Sequence, residues 1–231
     1  MAATSTPRAA KPKSARSFTR RLLAWYARAA RDLPWRRTRD PYRVLVSEVM
    51  LQQTQVSRVA EYYPRFLARF PTLDSLARSS PRAVREAWDG LGYYARARNL
   101  HALSREVLRG YGAKLPSDPE ELIKLPGVGR YTAGAVAAFA YEKPVPAVDT
   151  NVARVIRRYF FGKRDGGRGK GKAQDVWDLA ERLVPRNGKT AWKFNQAIME
   201  LGALMCVARK PKCPQCPVRT DCKTGAKRLR G

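Results

Sequence analysis

Leu125-Pro126-Gly127-Val128-Gly129-Arg130-Tyr131-Thr132-Ala133 closes one helix, turns on two glycines and starts another. Glycine has no Cβ, so the backbone there can approach a second chain closely. The first N–H groups of the new helix have no partner inside it and suit an anion such as a phosphate. Taken alone, the stretch is equally a glycine-rich turn in a helical protein, so its surroundings decide. Phe18, Leu22, Leu23 and Tyr26 recur at helical spacing from Ser17 until Leu33-Pro34-Trp35 ends the helix. Asp40-Pro41 opens the next, with Asp as N-cap and Pro at the first helical position. Apolar spacing predicts further helices at about 56–69, 73–78, 81–90, 94–110, 118–124, 130–141, 150–160, 174–184 and 190–204. Short Gly, Pro and Ser clusters separate them, and no alternating run is long enough for a convincing strand. The predicted fold is all-α, built of many short helices without an internal repeat.

Charge narrows the partner. The chain has 231 residues, with 46 Lys and Arg against 19 Asp and Glu, a formal charge of +27. Residues 1–16 (four bases, no acid), 163–172 and 219–231 (each five bases and one acid) hold part of this, and the rest stays strongly basic. Residues 1–16 read as a disordered basic tail, and 162–173 as a flexible basic loop. A folded body so charged repels itself unless it meets a polyanion, for which nucleic acid fits best. The longest apolar run, Ala133 to Tyr141, is far short of the roughly 20 residues a membrane span needs. The N-terminus shows no secretory signal pattern, so disulfides are not expected and a metal cluster is the natural use of the cysteines.

Those cysteines are Cys206, Cys213, Cys216 and Cys222, spaced C-x6-C-x2-C-x5-C. Four thiolates so placed can enclose an iron–sulfur cluster, a [4Fe-4S] cubane; zinc is the rival, although a C-x6-C first spacing is unusual for it. Glu48 lies mid-helix in the apolar stretch Val46-Ser47-Glu48-Val49-Met50-Leu51. A carboxyl there loses water, which raises its pKa and lets it serve as an acid. Asp149 precedes a helix and can cap it.

Taken together, these elements resemble the endonuclease III superfamily of helix–hairpin–helix DNA glycosylases, and within it the MutY-type adenine glycosylases. The resemblance runs from about Leu33 to Cys222. Its carriers are Leu33-Pro34-Trp35-Arg36, Ser47 to Thr54, Gly90 to Leu100, the hairpin, Val148-Asp149 with Asn151, Phe194 to Ala197, and the cysteine loop. It implies two helical lobes with a DNA-binding groove between them. A six-helix barrel would cover 40–141, with the hairpin at 125–133; the cluster lobe would combine 17–39 with 142–231. Double-stranded DNA with a mispaired base is the implied partner, and a flipped-out adenine the substrate. By position, Glu48 resembles the acid that protonates adenine N7, and Asp149 the carboxylate that stabilises the oxocarbenium-like sugar. Tyr131 and Asn151 resemble residues that position this apparatus, and Arg36 a pocket residue. Gln53 and Tyr93 resemble the wedge that enters the base stack. Gly127, Gly129, Arg130 and Thr132 resemble the hairpin's DNA contacts.

Bifunctional members carry Lys where this chain has Tyr131, so a monofunctional glycosylase with at most weak strand cleavage is expected. The chain ends nine residues after Cys222, where MutY-type enzymes carry an 8-oxoguanine-recognition domain, so that domain is expected to be absent. Thr150 stands where Gly is common in the family. A G:T or G:U mismatch thymine/uracil glycosylase of the same superfamily, and a non-catalytic lesion-binding module, are the rival functions. The expected protein is a monomer that needs no membrane and works in the cytoplasm on the nucleoid, or in a nucleus or organelle.

Overall fold

Asp40 shows how local chemistry starts these helices. Its side chain accepts a hydrogen bond from the Arg43 N–H, and Pro41 opens the helix Pro41–Leu51 (α2). The computed structural model describes residues 13–162 and 172–228, and among these it contains helices and no strands. The chain divides into two compact units, one of Arg31–Lys143 and one of the residues up to Ala30 with those from Pro144 onward.

Within the 31–143 unit, α2 is buried along nearly its whole length, from Tyr42 and Val44 through Met50. A helix apolar on all sides has to sit inside other helices. It packs on Val56–Arg69 (α3), Ala95–Tyr111 (α6) and Arg130–Ala140 (α8). Leu73–Arg78 (α4) and Pro81–Ala87 (α5) cover α6. Thr72 and Ser75 form a reciprocal capping box on α4, and Ser80 with Pro81 starts α5. Pro119–Leu122 (α7) is a single turn that leads into the hairpin. Residues 31–39, assigned from the sequence to the other lobe, belong to this unit: the buried Trp35 ring stands edge-on to Tyr63 of α3 at 5.7 Å.

The second unit is built on Lys13–Ala29 (α1), Thr150–Ile156 (α9), Ala173–Leu183 (α10) and Gly188–Leu204 (α11). Helix α1 begins four residues earlier than the periodicity suggested. Ala15 is buried in the core with Phe18 and Leu22, which holds residues 13–16 in the helix. Residues 1–12 of the expected tail and 163–171 of the expected loop lie outside the described residues. After α9 the chain continues as a five-residue π-helical stretch, Arg157–Phe161, where an α-helix through 160 was expected. The wider turn lets three consecutive side chains, Arg158, Tyr159 and Phe160, all face inward. Phe18 meets the Tyr159 ring at 4.6 Å and the Phe160 ring at 5.3 Å. A short helix, Lys223–Arg228 (α12), packs on the π-helical stretch. No helix among the described residues is long and apolar enough to cross a membrane.

Candidate active site

Glu48 lies on α2 with 5% of its surface exposed, so the packing that buries the helix also takes this carboxyl out of water. Tyr131, in the first turn of α8, donates its phenolic hydrogen to Glu48 Oε2 at 2.5 Å. The Gln52 side-chain amide donates to Thr132 Oγ1 at 3.3 Å and ties the same two helices one step further on. Thr132 is therefore buried, with 2% of its surface exposed. Its side chain faces α2, while its N–H belongs to the first turn of α8, where helix N–H groups have no partner within the helix.

The hairpin is anchored from below by Leu122, Leu125 and Val128, all buried. Gly127 has φ +74, and a Cβ there would stand 2.6 Å from Asn99 Cβ, so this position requires glycine on both counts. Gly129 caps α8 without a side chain, and a Cβ built on it would meet nothing within 4 Å. The turn thus presents open backbone beside the exposed Arg130, the arrangement that accepts a phosphate oxygen.

Gln53 and Tyr93 are both exposed, Tyr93 at 62%. Beside Gln53 an open cavity of about 510 Å³ is lined by Thr54, Gln55, Ser57, Arg58, Glu61 and Leu91 as well as Gln53 itself. Arg36 is half-buried, and its guanidinium donates to the Arg31 carbonyl at 3.0 Å. Arg96, two residues before the exposed Arg98, is buried.

In the second unit Asp149 caps α9. Its Oδ1 accepts from the Val152 N–H at 2.7 Å and its Oδ2 from the Asn151 amide at 2.8 Å. Burial pushes the Asp149 carboxyl above its ordinary range, and these hydrogen bonds and Arg154 oppose that rise. Arg154 donates to Asn151 Oδ1 at 2.7 Å, to the Gly202 carbonyl at 2.9 Å and to the Cys206 carbonyl at 2.7 Å. A Cβ at Gly202 would lie 2.6 Å from Asn151 Cβ, so α11 passes directly against the residue that holds Asp149. Neither Arg154 nor Gly202 stood out in the sequence, because each matters through a contact some fifty residues away.

Cys206, Cys213, Cys216 and Cys222 are all free and half-buried, and Cys216 has the other three as electrostatic neighbours. Among the described residues no three His, Cys, Asp or Glu side chains gather tightly enough to make a single-ion site. The loop is nevertheless furnished for a charged group. The Gly225 N–H donates to Cys222 Sγ at 3.3 Å, and the Arg158 guanidinium reaches Cys206 Sγ at 3.7 Å. Arg158 also donates to the carbonyls of Val207 and Ala208, at 2.7 and 3.0 Å, which shapes the chain between the first two cysteines. The Tyr159 hydroxyl is buried with no hydrogen-bond partner, and its electrostatic neighbours include Cys222 and Cys216.

Comparison with known proteins agrees with this geometry. A family described as HhH-GPD superfamily base excision DNA repair protein matches residues 46–181. An adenine DNA glycosylase of Mycobacterium tuberculosis is 46% identical over 198 residues, covering 85% of this chain and 64% of that protein. The human adenine DNA glycosylase is 44% identical over 216 residues, covering 90% of this chain and 39% of that protein. The chain therefore spans between about two fifths and two thirds of the length of these relatives. Among solved structures, a thermostable thymine-DNA glycosylase matches with a TM-score of 0.84 at 33% identity, over 93% of this chain and 98% of that one. An endonuclease III trapped in a covalent intermediate with DNA matches with a TM-score of 0.77 at 28% identity, over 93% and 97%. The matched stretch is more than half of the chain and holds the α2 carboxylate, the hairpin and the α9 cap: this chain belongs to the HhH-GPD superfamily of base-excision DNA repair proteins.

Proposed function

We propose that the protein is a DNA glycosylase that removes a mispaired adenine, opposite guanine or 8-oxoguanine, from duplex DNA. The observation that carries this is the buried Glu48 carboxyl, held by the Tyr131 hydroxyl at the first turn of the hairpin helix. The adenine DNA glycosylase relatives support the choice of base. Glu48 gives its proton to N7 of the extruded adenine. The C1′–N9 bond then breaks, its electron pair leaves with the base, and the sugar becomes oxocarbenium-like. Asp149 stabilises that cation, and water adds to C1′ as Glu48 takes the released proton back. One protonated and one ionised carboxyl at a single glycosidic bond is general glycoside-hydrolysis logic. Asn151 orients Asp149, and Arg36 belongs to the base pocket. Gly127, Gly129 and Arg130, with the Thr132 N–H, hold the phosphate backbone. Gln53 and Tyr93 fill the stack after extrusion, which offsets part of the unstacking cost. The protein acts as a monomer, in whichever compartment holds the DNA.

Single-turnover base release from A:8-oxoG, A:G, G:T and G:U duplexes tests the assignment. Adenine release at least tenfold faster than pyrimidine release is expected. The thymine-DNA glycosylase neighbour makes G:T the informative rival, and preferential thymine release would transfer the assignment to it. Tyr131 has no amine with which to form a Schiff base, so the enzyme is monofunctional. Borohydride should therefore trap almost no protein–DNA adduct, whereas Tyr131→Lys should trap readily.

The four cysteines fit an iron–sulfur cluster, which would bind thiolates from four points of one loop and cross-link it. Arg158 and the Gly225 N–H would offset the thiolates' negative charge, and the orphaned Tyr159 hydroxyl would gain an acceptor. Purified protein should absorb near about 410 nm and hold iron and acid-labile sulfide; a colourless, zinc-loaded protein would refute the cluster.

A further inference from the structure

Gln53 (φ 57) and Tyr93 (φ 50) share an uncommon backbone conformation. Left-handed geometry is unfavourable for a residue with a side chain, so each persists because its surroundings impose it. The two loops that carry them converge on one side chain, Arg96 in the first turn of α6. One of its terminal nitrogens donates to the Val49 and Met50 carbonyls at 3.0 and 2.7 Å, and also to the Gln52 carbonyl. The other donates to Thr54 Oγ1 at 3.0 Å and to the Leu91 and Gly92 carbonyls, both at 3.1 Å. Gln52 and Gly92 immediately precede the two left-handed residues. The guanidinium carbon also lies 5.5 Å from the Trp88 ring centroid and 5.5 Å from that of Tyr93. The planar cation thus has Trp88, fully buried, and Tyr93, exposed at 62%, as its two aromatic neighbours.

Arg96 is 9% exposed, its Nε has no partner, and no carboxylate pairs with it among the described residues. Burying a cation without a counter-charge is unfavourable, which a neutral tie between loops would avoid. A guanidinium supplies what a neutral tie lacks: a fork able to serve both loops at once, and a flat face for an aromatic ring.

We propose that Arg96 is the positioning residue of the base-extruding wedge: it fixes the carbonyls ahead of Gln53 and Tyr93 and backs the Tyr93 ring while that ring stands in the DNA stack. This rests on the wedge reading of Gln53 and Tyr93. Lysine keeps the charge but has neither the fork nor the flat face, so it cannot substitute.

The test uses the full chain with Glu48→Gln, so that no base is released, and a duplex with 2-aminopurine at the target position opposite 8-oxoguanine. At saturating protein, extrusion raises 2-aminopurine fluorescence. Adding Arg96→Lys should cut that rise at least fivefold, while duplex affinity changes less than about threefold and the melting temperature confirms a folded protein. Arg96→Gln should behave alike if it folds. A full fluorescence rise with Arg96→Lys, alongside a loss with Tyr93→Ala, overturns the role of Arg96 and leaves the wedge intact. A full rise with Tyr93→Ala overturns the wedge reading itself.

Discussion

Glu48→Gln should slow base release by about 10³–10⁴-fold and leave duplex binding nearly unchanged, because it removes the acid and little else. Glutamine has the same shape, and its amide oxygen can accept the Tyr131 hydrogen bond that Glu48 Oε2 accepts. The side chain is 5% exposed, so its loss of acidity alters almost nothing at the surface that meets the phosphates. The missing quantity is the proton for the leaving purine, without which the base departs as an anion. Single-turnover kinetics on A:8-oxoG duplex, paired with an affinity measurement at fixed salt, separates the two effects. Undiminished turnover would exclude Glu48 as the acid; loss of binding in step with turnover would make it a structural residue.

Asp149→Asn is the second large effect, about 10²–10³-fold on base release with the fold retained. Asparagine caps helices as well as aspartate does, so its oxygen can keep the Val152 N–H bond that starts α9. It cannot also accept from the Asn151 amide with the nitrogen it now carries, a local mismatch of about 1 kcal/mol. The large loss is the negative charge that, in the proposed mechanism, stabilises the developing sugar cation. A pH profile identifies this charge. Burial holds the Asp149 carboxyl above its ordinary value of 3.8, so the acid limb of the wild-type rate should lie above that pH. Activity rises with pH through this limb as the carboxylate ionises, and Asp149→Asn should flatten it. A limb that survives unchanged belongs to another group.

The features legible in the sequence are those fixed by neighbours in the chain. Asp40-Pro41 and Asp149 announce helix starts because a cap bonds only to N–H groups two or three residues on. The Gly127–Gly129 hairpin and the burial of Glu48 follow equally from local pattern. Features set by distant contacts were not legible. Arg96 has the same sequence surroundings as the exposed Arg98, and only the packing of α6 against α2 and the 91–93 turn directs one of them inward. Thr132 faces α2 for a similar reason. Residues 31–39 join the 31–143 unit because Trp35 finds Tyr63, a partner nearly thirty positions away. Arg154 and Gly202 gain meaning only where α9 and α11 touch.

The π-helical stretch Arg157–Phe161 makes chain length itself a determinant here. A π turn amounts to one residue inserted into an α-helix, and each residue advances the helix by about 100°. Deleting a single residue there would restore ordinary α winding, in which Arg158, Tyr159 and Phe160 could not all face inward. Homologues one residue shorter at this point would have to present different side chains to the cysteine loop, even with every cysteine in place. Alignments that slide a gap freely through 157–161 would conceal that difference.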